Sequence, residues 1–104
     1  MRRGEIRWYR FAPPDKQRPV LILTRDEVLG ALHEVLVLPT TRTVRGLSTE
    51  VVLDVADGMP TRCALNADRL SQARLDRIGA LVAELPARRW PDVEAAILRA
   101  CGLR

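Results

Sequence analysis

With one histidine, His33, and no phosphate-loop, dinucleotide-binding, zinc-protease or nucleophile-elbow motif, this 104-residue chain has no His-based acid–base pair. Any catalysis must use Arg, Asp and hydroxyl groups. Two such groups stand at the ends of apolar, strand-length runs. Arg18 directly precedes Pro19, and a residue before proline is pushed into extended backbone, so its side chain projects from the rim where the run Pro19 to Thr24 begins. Thr40 and Thr41 follow a second run, Val35 to Leu38, which Pro39 ends. A guanidinium can hold two phosphoryl oxygens as negative charge builds on them, and a threonine hydroxyl can donate to phosphate or orient a neighbouring hydroxyl. The chemistry such a pair suits is phosphate-directed. From spacing alone the plainer reading leads, with Arg18 a solvated strand-end charge and Pro39-Thr40-Thr41 an ordinary strand stop.

Composition bears on the same question. Formal net charge is +4, and sixteen of the seventeen basic side chains are Arg, Lys16 being the one Lys. Arginine's planar fork grips phosphate in a bidentate way, which suits a nucleic-acid partner, although a GC-rich genome produces the same bias. Cys63 and Cys101 show no CxxC spacing and have only His33 to join them, so neither a disulfide framework nor a metal site is expected, and no cofactor. No apolar run approaches the roughly 18 residues of a membrane helix, and the first residues lack a signal peptide's apolar stretch. The expectation is a cytoplasmic protein with no membrane association, its residues 1–104 forming one domain.

The elements that must carry these groups follow from periodicity and breakers. Glu5 to Phe11 reads as a first strand stopped by Pro13-Pro14-Asp15, Pro19 to Thr24 as a central strand, and Val35 to Leu38 as a third after a short excursion through Arg25 to His33. Thr49 to Leu53, a turn at Asp57 to Pro60 and Thr61 to Leu65 read as a hairpin. Pro91 at a first helical position, Asp92 and Glu94 near the start and Gly102 at the end define the clearest helix, with Trp90, Val93, Ile97 and Ala100 as its buried stripe. Leu75, Ile78, Leu81, Val82 and Leu85 fit a helical stripe, while Ile78 to Val82 also fits a strand, and periodicity leaves both open. About five short strands and a closing helix describe a mainly β, α+β protein: a small curled sheet or barrel capped by helices.

In order along the chain, Arg3-Gly4-Glu5-Ile6-Arg7-Trp8, Arg18-Pro19-Val20, Pro39-Thr40-Thr41, Thr43 to Val51 and Asn66-Ala67-Asp68-Arg69-Leu70 resemble the successive blocks of the MazF/PemK toxins. The resemblance covers nearly the whole chain. It implies an SH3-like barrel of about five to six strands with a C-terminal helix, a short helix near Gln72 to Asp76 followed by a strand, and a homodimer. It also implies a metal-independent endoribonuclease of a type II toxin-antitoxin system that cleaves single-stranded RNA and is neutralised by a cognate antitoxin. Arg18 and Thr41 fall on the catalytic positions. Two departures stand out. The loop Ala12 to Gln17 is shorter than in many relatives, leaving Asp15 as its acidic residue, and Arg10 stands where an Asp is common.

Cleaving RNA without a metal means attack of the ribose 2′-OH on the adjacent phosphorus, stabilisation of the extra phosphoryl charge and protonation of the leaving 5′-oxygen, giving 2′,3′-cyclic phosphate and 5′-OH ends. A guanidinium with a pKa above about 12 is a poor proton exchanger, so Arg18 suits charge stabilisation and Thr41 positioning. Arg42, Arg45 and Arg69 are expected to bind RNA phosphates, and Arg10, Asp15 and Lys16 to belong to the RNA-binding surface. Asn66 and Asp68 are expected either to read base edges or to cap a turn. Trp8 or Tyr9 could stack on a base, Trp8 more readily filling the core, while Arg88 and Arg89 read as a solvated face. Two other readings remain open on such a barrel: a non-catalytic CcdB-like toxin that binds DNA gyrase, and a basic RNA-binding barrel.

Overall fold

A strand that is apolar on both sides must be covered on both sides, and β2 (Gln17–Ile22) is such a strand in the computed structural model, which describes residues 1–14 and 16–104. Its Leu21 joins one core with Ile6, Leu38, Leu53, Leu65 and Val93, whereas Val20 and Ile22 enter a second with Tyr9, Leu29, Val35, Val37 and Ala73. Each fully buried aliphatic side chain contributes about 1.5–3 kcal/mol, so these clusters fix which strands lie beside β2. Its neighbours are β1 (Glu5–Arg10) and β3 (Glu34–Thr41), both antiparallel. With β4 (Glu50–Leu53), β5 (Cys63–Asn66) and β7 (Ile78–Glu84) the order is β4-β5-β3-β2-β1-β7, and β6 (Ser71–Arg74) pairs β3 off this path. The described residues thus form a mainly β protein of seven antiparallel strands with a C-terminal helix, one strand more than the upper expectation.

Two expectations need correction. The third strand does not stop at Pro39 but continues to Thr41. On the edge of β3 facing away from β2, β6 pairs Glu34 to Val37 and β5 pairs Thr40 and Thr41. The carbonyl of Leu36 faces β2, accepting from Leu23 N at 2.9 Å, so by alternation the Pro39 nitrogen faces the opposite edge, in the gap between those two partners. A missing N–H costs little there. The second correction concerns Gln72 to Asp76. Residues 71–74 are strand β6, and the helical turn is confined to Leu75–Arg77. Leu81, on the supposed helical stripe, is exposed within β7.

Helices fill the ends. A single turn, α1 (Asp26–Leu29), buries Leu29, and α2 (Trp90–Ala100) has Pro91 in its first turn and buries Val93 and Ala96 over the first core, with Trp90, Ile97 and Ala100 packed beside them. Gly102, at φ +71°, closes α2 by donating to Arg99 O at 3.1 Å while Leu103 N donates to Leu98 O at 2.8 Å. No described helix is long and apolar enough to cross a membrane.

Candidate functional site

The handover from β5 to β6 along one edge of β3 is what makes a groove. The chain between them, a turn at Ala67–Arg69 and Leu70, passes the gap at Pro39, while β2 lies on the other side of β3. The register that pairs Val20 with Pro39 and Leu21 with Leu38 places Arg18 across from Thr41 when continued to the strand ends. Both line a hollow of about 630 Å³ together with Arg45, Asn66, Asp68, Arg69 and Arg77. Its floor is fixed by Thr40, buried, whose hydroxyl donates to Pro19 O at 2.8 Å and ties the start of β2 to the end of β3.

Among the described residues, Arg18 is held without an acidic partner. Its Nη1 donates to Thr40 O at 3.4 Å, and its guanidinium lies 5.6 Å from the centroid of the Phe11 ring. Phe11 stands edge-on to Tyr9, centroids 4.8 Å apart, and the buried Tyr9 accepts from Arg74 N at its hydroxyl, 3.1 Å. The Thr41 hydroxyl accepts from Thr43 N at 3.2 Å, leaving its own proton to donate. Among the described residues, Arg18, Arg45, Arg69 and Arg77 form no ion pair. The one carboxylate described in the lining, Asp68, accepts from the Thr49 hydroxyl at 2.6 Å. Four guanidiniums around one tethered carboxylate make a cationic trough.

Of the residues singled out from sequence, Arg18, Thr41, Arg45, Asn66, Asp68 and Arg69 converge. Arg10 and Lys16 line an adjoining hollow of about 530 Å³ that shares Phe11 and Arg77 with the first. Arg42 is exposed beyond the end of β3 and lines neither, and Asp15 lies outside the described residues. Asn66 does cap a turn, accepting from Asp68 N at 3.1 Å, which leaves its amide N–H groups for the groove. Tyr9 is too buried to stack on a base. The ring placed to do so is Phe11, just past the end of β1, missed because the sequence reads it as the last residue of the first strand. Arg77 was missed too, hidden in a segment whose apolar spacing suggested helix.

Arg88 is exposed as a solvated face requires, but Arg89 is largely buried, and both pair with a buried carboxylate. Asp57, buried, accepts from Arg88 at 2.9 Å and from Arg89 at 2.8 Å, and Arg89 also donates to Val52 O at 2.8 Å and Asp92 at 3.0 Å. Burial pushes the Asp57 carboxyl up, but the Arg89 hydrogen bond, the Asp54 N–H and the charges of Arg89 and Arg88 outweigh it and hold it below the ordinary carboxylate value.

A family model described as the PemK-like, MazF-like toxin of type II toxin-antitoxin systems matches residues 2–101. The chain is 39% identical over 84 residues to a probable endoribonuclease, MazF5, of Mycobacterium tuberculosis, covering 76% of each. It is 39% identical over 87 residues to the endoribonuclease MazF3 of the same organism, covering 84% of each. Its fold superposes on the solved Mycobacterium tuberculosis toxin MazF-mt6 with a TM-score of 0.88 at 36% identity, covering 96% of this chain and 98% of that one.

Proposed function

We propose, for a chain that belongs to the PemK-like, MazF-like toxin family of type II toxin-antitoxin systems, that the groove between Arg18 and Arg69 is the active site of an endoribonuclease cleaving single-stranded RNA. The observation that carries this reading is the convergence of Arg18 and Thr41 across the β2–β3 register in a trough of arginines without ion-pair partners among the described residues.

In the reaction the 2′-oxygen forms a bond to phosphorus and gives up its proton as the P–O5′ bond breaks and the 5′-oxygen takes a proton. The products are a 2′,3′-cyclic phosphate and a 5′-OH. Arg18, packed against Phe11 and bonded among the described residues to one carbonyl, directs its remaining donors at the non-bridging oxygens, where charge grows as the phosphorane forms. Thr41 donates from the opposite strand and orients the scissile group. In this reading the Arg18 guanidinium carries the charge stabilisation that a metal carries in other nucleases, so that cleavage proceeds without a metal ion. Arg45 and Arg69 take flanking phosphates. Asn66 amide protons meet an exposed base edge and Phe11 a base face, both accessible only in a single strand. Arg10, Lys16 and Arg77 extend the cationic path into the adjoining hollow, and Arg42 and Asp15 serve as further RNA contacts in this reading.

Residues 1–104 act as one toxin domain in the cytoplasm, as a homodimer silenced by a cognate antitoxin. The test is incubation of the purified protein with a long RNA in the presence of EDTA, followed by mapping of the new 5′ ends. Discrete 5′-OH ends at a short recurrent sequence are expected. Intact RNA would overturn the reading and favour a non-catalytic toxin on the same fold.

A further inference from the structure

The basic loop between β3 and β4 has no regular structure, yet one carboxylate organises it. Glu50, first residue of β4, accepts from Arg45 N at 3.0 Å and from Leu47 N at 3.2 Å on the same oxygen, Oε1. The two N–H groups flank Gly46, whose φ of +72° turns them toward a common point, forming a backbone nest for an anion. Here the anion belongs to the chain. The other carboxylate oxygen, Oε2, is buried without a hydrogen-bond partner among the described residues, a burial cost that the Oε1 contacts must offset. One residue before, the Thr49 hydroxyl donates to Asp68 at 2.6 Å and Thr49 O accepts from Ala67 N at 2.9 Å, binding the same loop to the Ala67–Arg69 wall. Opposite Glu50 in the β4–β5 register stands Asn66.

We infer that Glu50 is a positioning residue for RNA binding: by filling the Arg45–Gly46–Leu47 nest it sets the height of Arg45 over the groove, in one frame with Asp68 and Asn66. Glu50 does not line the groove and touches no substrate. Its influence runs through Arg45, whose side chain is exposed and has no ion pair among the described residues, so only its backbone aims it. The cleavage part of this inference rests on the function proposed above.

The test has two arms. In the first, amide hydrogen exchange on the unliganded protein compares wild type, Glu50→Ala and Glu50→Gln. Arg45 and Leu47 amides lose protection in Glu50→Ala and keep it in Glu50→Gln, whose carbonyl oxygen still accepts; unchanged protection in Glu50→Ala overturns the inference whether or not the protein cuts RNA. In the second, cleavage of an RNA oligonucleotide spanning one mapped cut is followed. Glu50→Ala raises KM by about tenfold with kcat unchanged, as Arg45→Ala does, because a charge-assisted phosphate contact formed equally in ground and transition states is lost. The double variant is no worse than Arg45→Ala alone, and Glu50→Gln restores wild-type KM. A fall in kcat at constant KM, or effects that multiply in the double variant, overturns it. Should Glu50→Ala fail to fold, Gly46→Ala strains the same nest in open space, with no atom within 4 Å of the added Cβ, and must raise KM likewise. An unchanged KM there contradicts the inference. RNA left uncut by the wild type would sink the proposed activity, while the exchange arm still decides the role of Glu50.

Discussion

Two groups of arginines sit at opposite ends of this chain's electrostatic range. Around Asp57, Arg89 uses Nε, Nη1 and Nη2 on Asp92, Asp57 and Val52 O, and Arg88 completes the carboxylate. Around Thr41, Arg18 makes one long bond to a carbonyl, and Arg45, Arg69 and Arg77 have no acidic partner among the described residues. The first group joins the turn after β4 to the start of α2, so its charge is consumed by the fold. The second is held by strand register, an aromatic ring and a backbone nest, all of which fix position without cancelling charge. An arginine that is placed but not neutralised is what a polyanionic substrate requires.

The contrast predicts that substitutions separate into stability and activity effects. Asp57→Ala leaves Arg89, partly buried, with only the exposed Asp92 as counter-charge and should cost about 2 kcal/mol of unfolding free energy, measured in urea, with the cleavage rate of the folded fraction unchanged. Thr41→Ala does the opposite, slowing cleavage about 10²-fold at an unchanged urea midpoint. Arg69→Ala is milder: RNA affinity falls across all sequences, and the slope of log affinity against log salt drops by about 0.7, one phosphate contact. Acidification has the least effect. Because the Asp57 carboxyl is held below its ordinary value of 3.8, its contribution to stability is complete above that value and is lost only as pH falls through the lower folded value. In a pH-resolved melting series the difference between Asp57→Asn and wild type should therefore be full at neutrality and shrink only as pH falls below 3.8.

What the residues disclosed beforehand divides along the same line. Strand β2 and helix α2 were legible because burial on both faces of one and the start and stop residues of the other leave marks in residue type: an unbroken apolar run, Pro91, Gly102. Arg18 and Thr41 were visible as strand-end groups, but their approach depends on antiparallel register, which no local pattern encodes. Strand β6 was invisible because only Ala73 of its four residues is buried, too little for a period-two signal, and its pairing is supplied by the exposed edge of β3. Pro39 misled because proline ends strands in general but is harmless where a ladder changes partner. Arg89 misled because charge next to charge reads as solvated until the buried Asp57, about thirty residues away, is brought against it, whereas Arg88 pairs with the same carboxylate and stays exposed.

The central claim is that Arg18 serves the phosphoryl group and not the fold. Single-turnover cleavage by Arg18→Ala, measured beside its urea midpoint, tests this directly. The rate should fall about 10²- to 10³-fold while the midpoint stays at the wild-type value. Cleavage at the wild-type rate, or a loss of rate that merely follows a lowered midpoint, would contradict it.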